Sequence, residues 1–350
     1  MQMKRTLLIA VLATAALNAQ TLRLEADRLG VKISAAVNPS RFTESPYTDA
    51  LARELNMVEP ENVLKFALVH PGAERFDFSQ GDRIVEFARD HGMAVRGHTL
   101  VWHNQLASWV KEGNFTPEQL SRILHDHITT VMRHYAGKVW AWDVVNEAFA
   151  EGHPGLRSTL WYDAPGIGFK SDATKYIEQA FRWAREADPK ALLFYNDYNA
   201  ETINPKSDAI YAMAKDFKSR GVPLDGIGLQ MHVNLKTNLS RLGENIQRLT
   251  ALGLQVHITE LDVAIPLNPD GAPIDPEALQ KQAKIYGEIA STCLRFKGCT
   301  AIQTWGITDR YSWIPGSSKG KNGLALPLDR DYQPKPAYAA LLAAFKSASK

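Results

Sequence analysis

The chain has 350 residues, 45% of them hydrophobic and 22% charged, and its 40 basic and 38 acidic side chains leave a formal net charge of +2. These proportions point to a globular protein with a large core, and they supply no basic surplus for binding nucleic acid or an anionic membrane surface. The length allows one large domain or two small ones, and barrels of alternating strands and helices use about 250 residues or more as a single domain.

The opening segment, MQMKRTLLIAVLATAALNAQ, places Lys4 and Arg5 before an apolar run from Thr6 to Leu17, with small residues around Ala19. This is the pattern of a secretory signal peptide over residues 1–19, cleaved near Ala19 or Gln20. A membrane anchor is the alternative, but the run is shorter than the roughly 18 residues a span needs, and no cysteine follows that could carry a lipid. The mature protein is therefore expected to be secreted, extracellular or periplasmic, with no membrane partner.

Beyond the leader, apolar runs alternate with helical patterns. The spacing predicts strands over 31–37 (VKISAAV), 56–60 (NMVEP), 93–100 (MAVRGHTL), 139–146 (VWAWDVVN), 191–197 (ALLFYND), 225–232 (DGIGLQMH), 255–262 (QVHITELD) and 300–307 (TAIQTWGI). Between them lie helical segments, for example FSQGDRIVEFARDHG, which stops at Gly92, and TPEQLSRILHDHITTVMRHYAG, which opens with a threonine cap and Pro117 and closes at Gly137. A short first helix near Tyr47–Leu55 and a last at Tyr338–Phe345 bring the helices to eight. Strands each followed by a helix imply parallel pairing with helices outside, hence an α/β chain folded as a closed (β/α)8 TIM barrel. The competing open, doubly wound sheet lacks the glycine-rich turn it would need after the first strand, where VKISAAVNPSRF offers none. With no linker, repeat or low-complexity tract, one domain from about residue 21 to 348 is expected.

The only two cysteines, Cys293 and Cys299, sit just before the last strand. In an oxidising compartment they are expected to form a short-loop disulfide, worth about 2 kcal/mol. The alternative is a pair of buried free thiols; two thiols alone lack the further ligands of a zinc site.

Polar residues in otherwise apolar strands fall at the C-terminal ends: Glu61 and Asn62 with Lys65 after strand two, His98 with Trp102 and His103 at strand three, Asn146 and Glu147 at strand four, Asn196 and Asp197 at strand five, Gln230 and His232 at strand six, Glu260 and Asp262 at strand seven, Trp305 and then Trp313 after strand eight. Burying such groups is costly unless they are paired or working, so their convergence on one mouth of a barrel points to a polar active site. Glu147 and Glu260 stand on opposite sides of that mouth. Two carboxylates flanking a glycosidic bond about 5 to 5.5 Å apart serve as nucleophile and as general acid and then base, with retention of configuration. Trp102, Trp305 and Trp313 can stack on sugar rings, whereas Trp140, Trp142 and Trp183 lie inside strand or helix patterns and read as core. His98, His103, His232 and His257 are conceivable metal ligands, but the first strand lacks a His-x-His pair and no catalytic metal or other cofactor is expected. His125 and His127 flank Asp126 in a helix, where i and i+2 do not share a face, and this triplet reads as solvated surface.

The motifs ENVLKF, RGHTLVWHNQ, WDVVNEAF, FYNDYN, GIGLQMH, ITELDV, QTWGITDRYSW and PLDRDYQPKPAY, in this order, resemble the glycoside hydrolase family 10 endo-1,4-β-xylanases over nearly the whole mature chain. The resemblance implies that Glu147 is the acid/base and Glu260 the nucleophile, that Asn146 binds the sugar 2-hydroxyl, and that His232 sits beside the nucleophile, held by Asp262, with Gln230 in the same subsite. It implies that Glu61, Asn62, Lys65, His98, Trp102, Trp305 and Trp313 bind sugar on the non-reducing side, that Cys293 and Cys299 pair, and that xylan and xylo-oligosaccharides are the partners of a monomer. Two positions depart from the pattern: Phe66 stands where tryptophan is common, and Ala107 where proline is usual.

Overall fold

The computed structural model describes residues 20–152 and 155–349. Eight parallel strands close on themselves: β1 (Lys32–Val37), β2 (Met57–Pro60), β3 (Ala94–Val101), β4 (Ala141–Asn146), β5 (Leu192–Asp197), β6 (Gly226–Leu229), β7 (Gln255–Pro266) and β8 (Cys299–Thr304), each paired with the next and β8 with β1. This is the single-domain (β/α)8 barrel the alternation implied. Helices cover the outer face while side chains fill the inside, so the strands are buried almost continuously and read as apolar runs.

The helices form where cap and periodicity agree. Pro117–His134 starts with a capping box between Thr116 and Gln119, carries Pro117 in its first turn, and turns Leu120, Leu124, Ile128, Val131 and Met132 inward. A helix the sequence pattern did not suggest, Leu22–Leu29, precedes β1 and joins the chain's two ends: Arg28 donates to the Phe345 carbonyl (2.7 Å), and Glu54 accepts from both the Leu22 N–H (3.2 Å) and the Tyr338 hydroxyl (2.7 Å). The Cys293–Cys299 disulfide ties the end of the helix Ala278–Leu294 to the start of β8.

Two strand ends differ from expectation. The sixth predicted strand breaks at Met231, whose φ of +67° lies in the left-handed region; its last part forms a separate short strand, His232–Asn234, pairing with Asp262–Ala264. The seventh runs on to Pro266 and pairs antiparallel with Asn322–Gly323. The leader expectation falls on residues 1–19, outside the described residues. Among the described residues no helix is long and apolar enough to cross a membrane.

Candidate active site

The C-terminal ends of β4 and β7 each deliver a glutamate. Glu147 follows β4 with φ +56°, its N–H bonded to the Asn196 carbonyl on β5 (2.9 Å). Among the described residues its carboxylate accepts only from neutral donors: the Trp102 indole N–H (2.8 Å) on Oε2, and the Gln230 (3.0 Å) and Asn146 (3.1 Å) amides on Oε1. Glu260, inside β7, accepts from the Asn196 amide (2.7 Å) on Oε1 and from His232 Nε2 (3.0 Å) on Oε2.

The His232 ring faces carboxylates on both sides, with Nδ1 at 3.0 Å from Asp262. Burial alone would push its pKa down, but Asp262 and Glu260 raise it well above the ordinary histidine value, which favours the doubly protonated ring. Burial alone would likewise raise Glu260; the bond from His232 and the positive field of His98 and His232 bring it below its ordinary value. Asp262 also accepts the Trp313 indole N–H (2.7 Å), fixing that exposed ring over the site. An amide relay joins the two glutamates, because Asn196 and Gln230 both donate to the Asn146 side-chain carbonyl (2.9 and 3.3 Å). Asn196 fits there because Gly228 faces it; a Cβ at 228 would collide with its side-chain oxygen.

Between these groups opens a cavity of about 480 Å³. Asn146, Glu147, Gln230, His232 and Glu260 form its floor, and Lys65, His98, Trp102, Trp305 and Trp313 its walls on the side of β2, β3 and β8. Lys65 lies 4.9 Å from the Trp102 ring and 5.4 Å from that of Trp305; burial lowers its pKa against the pull of Glu260, Glu61 and Glu147. Glu61 and Asn62 do not border the cavity: Asn62 accepts from Lys65 (3.0 Å), so it stands behind that amine. A cavity of similar volume between the helices Ala278–Leu294 and Pro336–Ser347 gathers no strand-end polar groups, so size alone does not mark the site.

Sequence reasoning placed Asn196 and His103 at the mouth without giving either a part in the reaction, and it missed Tyr198 as a cavity wall and Arg96, Asp143 and Glu59 beneath it. Arg96 is buried with Nε at 3.1 Å from Asp143 and 3.2 Å from Glu59, while Asp143 also holds His98 Nδ1 (3.0 Å). Glu59, His98 and Asp143 offer three ligand atoms within 4.8 Å, but the charge balancing them is already a guanidinium. Burial and Asp143 push Glu59 well up, whereas Arg96 and His98 overcome the effect of burial on Asp143 and lower it. The signal was a charge inside an apolar strand, as in AVRGH and AWDVV. His257 lies in this lower layer, 2.7 Å from Arg96, and away from the cavity.

The histidine triplet is corrected in part. His125 is half-exposed, but His127 is fully buried, stacked on Phe66 with ring centroids 4.2 Å apart and bonded to His70 (3.3 Å), because i and i+2 face opposite ways. Trp142 is core as expected; Trp140 and Trp183 are half-buried, Trp140 stacking on His257 at 5.4 Å.

A barrel mouth with one carboxylate among neutral donors and another beside an imidazolium, in an open cleft walled by indoles, has the parts of a glycoside-cleaving enzyme. The family described as Glycosyl hydrolase family 10 matches residues 21–344. The chain is 43% identical over 325 residues to endo-1,4-beta-xylanase B of Thermotoga neapolitana, covering 91% of this chain and 90% of that one. It is 40% identical to the beta-1,4-xylanase of Dictyoglomus thermophilum over 83% of this chain and 82% of that one. The crystal structure of xylanase 10B from Thermotoga petrophila in complex with xylobiose superposes with a TM-score of 0.87 at 43% identity, over 93% of this chain and 97% of that one. The chain belongs to glycosyl hydrolase family 10.

Proposed function

We propose that the protein is a secreted, retaining endo-1,4-β-xylanase that cuts inside xylan and xylo-oligosaccharides, with Glu260 as nucleophile and Glu147 as acid/base. The observation that carries this is the contrast between the two carboxylates across one cleft: Glu260 is kept anionic by His232, and among the described residues no cation donates to the Glu147 carboxylate, Arg157 reaching only its main-chain carbonyl (3.3 Å). In the first step Glu260 attacks the anomeric carbon as Glu147 gives its proton to the departing sugar oxygen, leaving a covalent glycosyl-enzyme. In the second, Glu147 takes a proton from water, which displaces Glu260 from the opposite face. Asn146, already oriented by Asn196 and Gln230, supplies a donor to the 2-hydroxyl, a bond worth most at the transition state. His98, Trp102, Lys65, Trp305 and Trp313, with Glu61 and Asn62 behind them, hold the non-reducing side of the chain.

Xylan as substrate is supported by the xylanases the chain is similar to and by the xylobiose in one of their structures. One chain supplies every group the mechanism uses, which favours a monomer acting without a cofactor. Secretion rests on the leader pattern, with the mature domain running from about residue 21 to 348. The test is a proton NMR time course on xylohexaose, read before mutarotation: internal cleavage giving the β-anomer first supports the proposal, and the α-anomer first refutes the double displacement. Equal turnover of soluble cellulose and xylan would refute the substrate assignment.

A further inference from the structure

Gln230, which donates to Glu147, and His232, which donates to Glu260, flank Met231, whose φ of +67° places a non-glycine residue in the left-handed region. A residue stays there only when its surroundings impose the conformation. Both polar groups of Met231 are fixed: its carbonyl accepts from the Asp262 N–H (3.3 Å), and its N–H donates to Glu201 Oε1 (3.1 Å). Glu201 is buried, and burial raises its carboxyl pKa. Among the described residues no salt bridge reaches it; its main chain is held by Asn245, whose amide donates to the Ala200 (2.8 Å) and Glu201 (3.0 Å) carbonyls. The Glu201 carboxyl also accepts from its own main-chain N–H, and a buried carboxyl is a costly way to accept main-chain hydrogen bonds unless the position of those peptides matters.

We infer that Glu201 is a positioning residue for both catalytic carboxylates: by fixing the left-handed peptide at Met231 it sets where Gln230 meets Glu147 and where His232 meets Glu260. The inference rests on the roles proposed for those two glutamates. Glu201 lines no part of the cavity and so acts through its neighbours.

The test compares Glu201→Leu, which removes the acceptor, Glu201→Gln, which keeps an acceptor oxygen, and Glu201→Asp, which keeps the charge but draws the carboxylate back by one methylene. The pH profile of kcat/KM on xylohexaose is measured for each well below its melting temperature. Glu201→Leu is expected to lose on the order of 10-fold to 100-fold in kcat/KM, as a displacement of about 1 Å can cost. Its acid limb should move up in pH as the His232–Glu260 contact loosens. Glu201→Asp should show a smaller loss with the same upward shift, and Glu201→Gln should keep the wild-type limb. Should Glu201→Leu not fold, Glu201→Asp and Glu201→Gln decide between them. A wild-type acid limb in Glu201→Asp, or a shift in Glu201→Gln as large as in Glu201→Asp, overturns the inference. Glu260→Ala with azide is run alongside: absence of a glycosyl azide means that the roles of the glutamates are wrong, whereas its formation with unshifted Glu201 variants means that only the positioning role is.

Discussion

The barrel carries two layers of buried charge, and they differ in what completes them. In the lower layer Arg96 bonds both Asp143 and Glu59, and Gln303 donates to Glu59 (2.7 Å); Glu59 Oε1 and Gln303 Oε1 have no hydrogen-bond partner among the described residues, and none of these four borders the cavity. In the upper layer Glu147, Glu260, His232 and Lys65 all border the cavity: Gln230, Asn196 and Asn62 hold the two glutamates and Lys65, and His232 turns its two ring nitrogens to Asp262 and Glu260. A charge inside a strand is thus no sign of catalysis by itself; what distinguishes the upper layer is that its charged groups line a space large enough for substrate. Within that layer the two glutamates differ again, since the imidazolium beside Glu260 favours its anion and, among the described residues, the donors to the Glu147 carboxylate bring no positive charge.

The largest test of this division is Glu260→Ala, expected to lower turnover by roughly 10⁴-fold or more, with azide restoring bond cleavage as the inverted glycosyl azide. Its melting temperature should fall only by the modest stabilisation the Glu260 anion contributes, because active-site groups are seldom optimised for stability; a large fall would place Glu260 with the structural layer. Glu147→Ala should cost about 10²- to 10⁴-fold on xylo-oligosaccharides, whose leaving groups need a proton, and far less on dinitrophenyl glycosides. Equal losses on both would remove the acid role. Arg96→Met should do the reverse of Glu260→Ala: removing the guanidinium that buried Asp143 and Glu59 share is expected to destabilise the fold by about 3–5 kcal/mol in urea titration. Loss of kcat without loss of stability would move Arg96 into the catalytic layer.

The acid limb of kcat/KM sharpens the contrast further. A carboxyl with a depressed native pKa stays ionised to lower pH, so the limb governed by Glu260 should lie below the ordinary glutamate range of about 4.3. His232→Ala removes the main stabilising partner and should carry that limb upward; an unmoved limb would mean that His232 does not set the charge of Glu260. By linkage, stabilisation from the Glu260 anion is present above its unfolded pKa and lost as pH falls through the lower folded value; that from His232 is present below its ordinary pKa and lost as pH rises through its raised one. The smallest effect is expected at the rim, outside both layers. Ala107 has φ −65°, the angle proline imposes, so Ala107→Pro should stabilise by about 0.4–1 kcal/mol and leave kcat/KM unchanged.

Much of this was legible before any coordinates. All eight barrel strands lie at the predicted segments, within a residue or two at most ends, because strands buried on both faces must be apolar and turn residues must punctuate them. Ten of the residues expected at the site border one cavity, since a parallel barrel brings every strand's C-terminal end to the same face. The helix Leu22–Leu29 went unread because its value lies in contacts with Glu54 and Phe345, far along the chain. The break at Met231 was missed for the same reason: nothing in GIGLQMH marks a left-handed residue, which Glu201 and Asp262 impose from two other segments.

By itself, then, the sequence determined the barrel, its polar mouth and the two glutamates, through periodicities and residue types that are local properties of the chain. The tertiary structure alone decided that Glu260 stands beside an imidazolium and Glu147 among neutral donors, that Asp143 belongs to Arg96, and that His127 turns inward while His125 turns out. A charge state, a hydrogen-bond partner and a buried face depend on which distant side chains arrive within about 3 Å, and that is fixed only when the barrel closes.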